Sequence, residues 1–268
     1  MHSPSLAIIS VLAVLGAALA LLRWWQVRRR PDPEHVRKAF HATMSAVVLA
    51  FPWLFAETGP VVVLAALAGA GMAALRGVRG LRDGAGRVLH DVGRQSVGEL
   101  CFPAGVAALF ALTGGGALRY GAPVLVLGLA DPAAALAGRR FGQARFGAGD
   151  GAKTAEGSLA FFAVAVGVVF GALALAEADA PDHMLLAALF TGAWATLAEV
   201  VARRGWDNLL VPLTALAALD AALAMDAAAL GQQLTTVAGA GAVALSIALL
   251  YGRARMLDAR RGARVLAR

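Results

Sequence analysis

Apolar runs of about 15–20 residues recur along the chain, separated by short basic, acidic or Gly-rich stretches. They lie at about 5–22, 42–56, 60–75, 99–113, 120–137, 158–176, 184–201, 209–226 and 233–251. These lengths approach the ~20 residues an α-helix needs to cross a bilayer. The α-helix is the only spanning structure they suit, because every backbone polar group must be satisfied within the segment. The pattern predicts an all-α fold, a polytopic integral membrane helical bundle of about nine transmembrane helices. The shorter runs fit tilted, re-entrant or merged segments. No soluble domain, long linker or internal repeat interrupts the series. Residues 1–30 read as an anchor helix with a basic juxtamembrane segment, 31–252 as the polytopic domain, and 253–268 as a basic tail.

Charge placement sets the expected orientation. If the first span delivers Arg23, Arg28, Arg29 and Arg30 to the cytoplasm, each later basic cluster also falls inside: Arg37–Lys38, Arg76 to Arg94, Arg139 to Lys153, Arg203–Arg204 and the tail from Arg253. Of the 24 Lys and Arg residues, Arg119 alone falls outside. The outer turns hold Glu57, Glu177, Asp179, Asp182 and Asp226. This separation follows the positive-inside rule, with the N-terminus outside and the C-terminus cytoplasmic. Met1 to Ser5 carries no Lys or Arg and the arginines follow the apolar core, so the first span is expected to be an uncleaved anchor rather than a signal peptide.

Composition agrees. The 268 residues are 59% hydrophobic and 15% charged, against roughly 45–50% and about 25% in soluble domains. One cysteine, Cys101, excludes a disulfide scaffold. The net charge of +7 needs no nucleic acid, since topology and attraction to anionic headgroups account for it. The Ala/Gly/Arg-rich composition suggests a bacterial source, hence the cytoplasmic (inner) membrane, with any active site on the cytoplasmic face.

Polar residues in or beside apolar spans are costly in lipid and mark candidate function. Glu34-His35-Val36-Arg37-Lys38-Ala39-Phe40-His41 leads into the second span, with Arg37 and His41 expected on one helix face. It reads either as a juxtamembrane anchor or as cations suited to phosphate. Glu99, opening the fourth span, is either a helix-start carboxylate or a catalytic or metal group. Asp131-Pro132 inside an apolar run predicts a helix cap and a broken helix at membrane depth, with Asp131, Ala135 and Gly138 on one face. Beyond it, Gly142, Gly147, Gly149 and Gly151 precede Lys153-Thr154, a composition suited to phosphate without the Walker spacing. Glu199 ends a span, and Asp207-Asn208 reads either as an N-cap or as part of a site. These cationic, acidic and Gly-rich segments could converge on one nucleotide–metal site serving a lipid substrate.

In this order the segments resemble the CTP-dependent polyprenol kinase family, which includes dolichol kinase, phytol kinase and CTP-using diacylglycerol kinase. Its Arg-Lys-x-x-His motif is matched at Arg37, Lys38 and His41, and its Gly-Glu-x-x-Phe-Pro segment at Gly98, Glu99, Phe102 and Pro103. Its Asp-x-x-Ala-x-x-x-Gly-Arg-x-x-Gly motif is matched at Asp131, Ala134, Gly138, Arg139 and Gly142, and Lys-Thr-x-Glu-Gly-Ser at Lys153, Thr154, Glu156, Gly157 and Ser158. The late Glu…Gly-x-Asp-Asn-x-x-x-Pro element corresponds to Glu199, Gly205, Asp207, Asn208 and Pro212. The resemblance covers about 34–215.

It implies transfer of the γ-phosphoryl of CTP, or another nucleoside triphosphate, to the hydroxyl of a membrane isoprenoid alcohol or diacylglycerol, with Mg²⁺ or another divalent ion. Arg37, Lys38, Asp131 and Gly138 become the expected essential positions. Nucleotide and phosphate contacts are expected from Arg37, Lys38, His41, Gly138, Arg139, Gly142, Lys153, Thr154 and Asn208. Metal contacts are expected from Asp131 with Glu156 or Asp207, and Glu99 would orient the attacking hydroxyl. Relatives often carry Ser-x-Lys where this chain reads Asp150-Gly151-Ala152. An alternative is phosphatidate cytidylyltransferase, which shares the Asp…Gly-Arg and Lys-Thr-x-Glu-Gly elements. Its C-terminal Lys-Arg…Lys-Asp…His-Gly-Gly…Asp-Arg element has no counterpart here, since the last His is His183. A further alternative is an ion-coupled transporter with Asp131 and Glu199 as ligands.

Overall fold

The computed structural model describes residues 3–90, 96–146, 152–177, 180–242 and 246. Helix α1 (Pro4–Arg29) starts on the Ser3 side chain, which accepts from the Leu6 N–H, and ends at Arg30 with φ 47°. Asp32 accepts from the Glu34 N–H and Pro33 opens the first turn of α2 (Pro33–Val48), the usual division of labour at a helix start. A single turn, α3 (Phe51–Leu54), and α4 (Thr58–Gly77) follow, then the short α5 (Arg79–Asp83) and α6 (Arg87–His90). Next come α7 (Gly98–Thr113), α8 (Ala117–Leu125), a π-helical turn (Val126–Ala130) and α9 (Asp131–Phe141). The two-residue strands β1 (Arg145–Phe146) and β2 (Lys153–Thr154) pair antiparallel, the one sheet among the described residues. Helices α10 (Ala155–Leu175), α11 (Pro181–Val201) and α12 (Asp207–Leu223) complete the core, and residues 227–242 are again helical.

The fold is all-α. Five helices among the described residues are long and apolar enough to cross a membrane: Pro4–Arg29, Thr58–Gly77, Ala117–Phe141, Ala155–Leu175 and Pro181–Val201. The expected span at 42–56 is not one helix. Pro52 lacks an N–H and its ring would clash with the Val48 carbonyl four residues back, so α2 ends at Val48 and a separate turn begins at Phe51. Gly147, Gly149, Gly151, Arg94, Asp179 and the basic tail lie outside the described residues.

The core forms where α10 packs on α9 and α11, α11 on α12, and α7 on α4 and α12. On α10 the buried stripe is Phe161, Ala165, Val169 and Leu173, a four-residue repeat that keeps one face inward. Helix α1 is attached differently: it touches α2, α4 and α6 and buries only Ala7, Val11 and Gln26.

Candidate functional site

The π-helical turn organises the most polar part of the interior. The expectation that Asp131 caps a broken helix is overturned. Asp131 is itself helical (φ −65°, ψ −45°), and α8, the turn and α9 run on as one continuous rod. Pro132 cannot donate to the chain behind it, and the wider π register absorbs that defect, as such turns do. In that register the carbonyl Pro132 would have served, five residues back, is that of Leu127. His41 takes it instead, with Nε2 3.3 Å from the Leu127 oxygen. Gly128 makes the approach possible, since a Cβ there would lie 2.5 Å from Ser45 Cβ on α2.

Lys38, one turn before His41, donates from Nζ to Asp131 Oδ2 at 2.6 Å. His41 Nε2 is 3.7 Å from the same oxygen. The Lys38 and Asp131 side chains are only 9% and 12% exposed. Taking two charges out of water costs several kcal/mol per ion, which an ion pair repays only in good geometry. Asp131 Oδ1 accepts no hydrogen bond from the described residues. The His41 ring is met edge-on by Phe102 of α7, with centroids 5.4 Å apart and planes at 76°.

Thus Lys38, not Arg37, shares the inward face with His41. The Arg37 guanidinium forks onto Glu34 at 2.6 and 3.1 Å, while still feeling the charges of Asp131 and Asp207. A second buried pair lies nearby. Lys153 donates to the Glu199 carboxylate at 2.5 Å and to the Glu199 carbonyl, and Ser158 Oγ reaches the other Glu199 oxygen at 3.5 Å. Asp131 and Asp207 both bear electrostatically on Glu199. One field therefore links α2, α9, α11 and α12.

Several of the expected ligands have structural partners within the chain. Thr154 caps α10 by accepting from the Gly157 N–H at 3.1 Å. Gly138 and Gly142 are spacers: a Cβ on Gly138 would lie 2.7 Å from Thr154 Oγ1, and one on Gly142 2.2 Å from the Gly138 carbonyl oxygen. Glu156 accepts the N–H groups of Gln143 and Ala144, closing the turn after α9. Both contacts fall on Oε1, and the buried Oε2 takes no hydrogen bond from the described residues. Arg139 forks onto Asp32 at 3.0 and 2.5 Å. That hydrogen bond, with the Glu34 N–H, holds the exposed Asp32 carboxyl well below the usual carboxylate range. Asn208 is no N-cap. Its Nδ2 donates to the Gly98 carbonyl at 2.9 Å, and the chain passes so close that a Cβ on Gly98 would be 2.6 Å from that nitrogen. Glu99 pairs with Arg76 at 3.1 Å.

Sequence reasoning passed over Asp32, Arg76 and Ser45. Asp32-Pro33 is the same helix-start pair sought at Asp131-Pro132, and Ser45 continues the Lys38–His41 face by one turn. Arg76 carried no local signal, because its partner Glu99 is 23 residues away.

Among the described residues, no three His, Cys, Asp or Glu side chains gather as ligands for one ion. Asp131 and Asp207 are hard oxygen donors, though, and Mg²⁺ is commonly held by one or two carboxylates together with substrate phosphates. Asp207 opens α12 and takes no side-chain partner among the described residues. Two such carboxylates would need a substrate's phosphate oxygens and water to complete a Mg²⁺ shell. No protein family, curated protein or solved structure matches the chain.

Proposed function

We propose that the chain is a multi-pass membrane lipid kinase, moving the γ-phosphoryl group of CTP or another nucleoside triphosphate to the hydroxyl of a membrane isoprenoid alcohol or diacylglycerol. In this reading α2, α7, α12 and the helix at 227–242 join the five long apolar helices as nine crossings. The N-terminus is outside, and the Lys38–Asp131 end faces the cytoplasm of a bacterial inner membrane. The observation that carries it is the buried Lys38–Asp131–His41 cluster on a π-helical turn. An ion pair there is expensive to maintain and is found by default where function needs it.

Phosphoryl transfer asks a protein mainly for positioning and charge neutralisation. Arg37, Lys38 and Lys153 hold the phosphate oxygens, each within reach of a carboxylate that keeps its side chain extended when no nucleotide is bound. Asp131 and Asp207 would hold Mg²⁺, which would supply neutralisation of the phosphate charge. The lipid hydroxyl oxygen bonds to the γ-phosphorus while the bond from that phosphorus to the β–γ bridging oxygen breaks. The bridging electron pair leaves with the nucleoside diphosphate, and the hydroxyl proton passes to Asp131 Oδ1. Because Glu99 is engaged by Arg76, Asp131 takes the hydroxyl-orienting role.

The test is phosphoryl transfer by purified protein with Mg²⁺ and γ-labelled CTP, ATP or UTP, against isoprenoid alcohols and diacylglycerol. Label in a lipid phosphate, lost in Asp131→Asn, is the expected result. CDP-lipid formed from phosphatidate and α-labelled CTP would replace the kinase with the cytidylyltransferase reading.

A further inference from the structure

The last two turns of α1, the start of α2 and the short α6 border a surface cavity of about 430 Å³, the size of a small-ligand site. Arg23, Arg30 and Arg87 line it, with Val27, Pro31 and Pro33 supplying apolar wall. Leu22 and Trp25 pack this end of α1 on the core, and buried Gln26 fixes two of the arginines. Its Oε1 accepts from Arg23 at 2.9 Å, and its Nε2 donates to the Arg87 carbonyl at 3.5 Å. Arg30 ends the helix in the left-handed region (φ 47°, ψ 48°), uncommon for a residue with a Cβ. The turn brings Arg30, Pro31 and Pro33 to the same cavity as Arg23 and Arg87.

No carboxylate joins these three guanidiniums among the described residues. Acids stand close in sequence but are committed elsewhere: Asp32 to Arg139, Glu34 to Arg37 and Asp83 to Arg82. Like charges around one space repel, and an anion in it removes that cost. Guanidinium forks match the oxygens of a phosphate. The position selects among phosphates. Helix α1 is long and apolar enough to cross a membrane, and beside the cavity Leu21, Trp24 and Val27 are each more than half exposed. On a spanning helix that face meets lipid, and the arginines begin where the apolar run ends, at headgroup level. Independently of the kinase reading, we infer that this cavity binds the phosphate of an anionic phospholipid, held by Arg23, Arg30 and Arg87. Arg28 and Arg29 share the helix end without lining the cavity, and Arg28 lies over the Trp24 ring instead.

The test is lipid binding by the purified full chain in neutral detergent, read by intact-complex mass spectrometry. Phosphatidylglycerol should bind more tightly than phosphatidylcholine, whose choline cation would face the arginines. Arg23→Gln and Arg87→Gln should each weaken phosphatidylglycerol roughly tenfold, the loss of one charge-assisted hydrogen bond. Arg29→Gln should leave it unchanged. Arg87→Gln keeps the backbone carbonyl that Gln26 holds, so its thermal midpoint without lipid should equal that of wild type. Equal weakening by Arg29→Gln, or equal affinity for the two lipids, would mean diffuse attraction and overturn the site. Displacement of phosphatidylglycerol by millimolar inorganic phosphate or CTP at constant ionic strength would overturn the lipid assignment in favour of a soluble phosphate. Because the readout is binding, a chain that phosphorylates no lipid would sink the kinase reading and leave this site standing.

Discussion

At one end of the bundle ionic side chains reach inward; at the other they lie on the surface. Lys38 and Asp131 meet at 2.6 Å with side chains 9% and 12% exposed, whereas Arg119 and Asp220 meet at 2.5 Å with 46% and 36% exposed. The surface pair has the better geometry, two parallel contacts at 2.7 and 2.5 Å. Its energetic worth is still the smaller, because water screens it and freely replaces either partner. Neutral contacts among the described residues at that end include Tyr120 Oη to the Val48 carbonyl and His183 to the Met225 carbonyl, each 2.9 Å. Burial, not bond length, separates a pair that constrains the molecule from one that decorates it.

The sharpest way to break this comparison is to remove one partner of the buried pair. Lys38→Met leaves Asp131 charged and unpaired and should cost about 3–5 kcal/mol of stability, read as a lower thermal midpoint in detergent. Lys38→Met with Asp131→Leu removes both charges and should recover most of that midpoint, since an apolar replacement of a buried pair is often neutral. Lipid phosphorylation should stay absent in both. A double variant as unstable as the single one would mean that packing, not charge, holds α2 to α9.

Close helix approach gives a smaller effect. Gly138→Ala puts a Cβ 2.7 Å from Thr154 Oγ1 and should destabilise by about 1–3 kcal/mol. Adding Thr154→Ala relieves the clash, so the two changes together should cost less than their sum. Additive losses would show that α9 and α10 adjust independently.

At the opposite end, Arg119→Ala should shift the thermal midpoint far less than Lys38→Met does, because the pair is exposed and screened, and leave activity unchanged. A larger loss would erase the distinction between the two ends.

The smallest effect concerns pH. Arg139 and the Glu34 N–H hold the Asp32 carboxyl below its usual range, so the folded state keeps that proton off more readily than the unfolded chain does. The contribution is fully present above the unfolded carboxyl value of about 3.9 and fades as pH falls through the lower folded one. Wild type should therefore lose its small advantage over Asp32→Asn on acidification, and high salt should shrink the difference because the pair is exposed. An advantage that grew on acidification would contradict the Arg139–Asp32 pairing.

Much of the helical layout was legible in the residues. Hydrophobic run length predicts an all-helical bundle, and α1, α4, α10 and α11 lie where the runs place them. Boundaries failed where a single proline intervenes. Pro52 splits the expected span at 42–56, and Pro132 was expected to start a helix that in fact continues through it. At the site, the residue types in and around Arg37–His41, Asp131, Lys153 and Glu199 were all visible. Their pairings were not: Lys153 with Glu199 spans 46 residues, Arg139 with Asp32 107, and Lys38 with Asp131 93.

What the amino-acid order determined alone is the set of helices and the charges at their ends, because run length, proline and capping chemistry act over a few residues. Which charge neutralises which depended on the tertiary structure. Only packing decides that the Thr154 hydroxyl accepts a backbone N–H, and that Glu156 spends one carboxylate oxygen on the turn after α9 while the other takes no hydrogen bond from the described residues. Those outcomes rest on distances between segments far apart in sequence and on how much water the packed helices exclude.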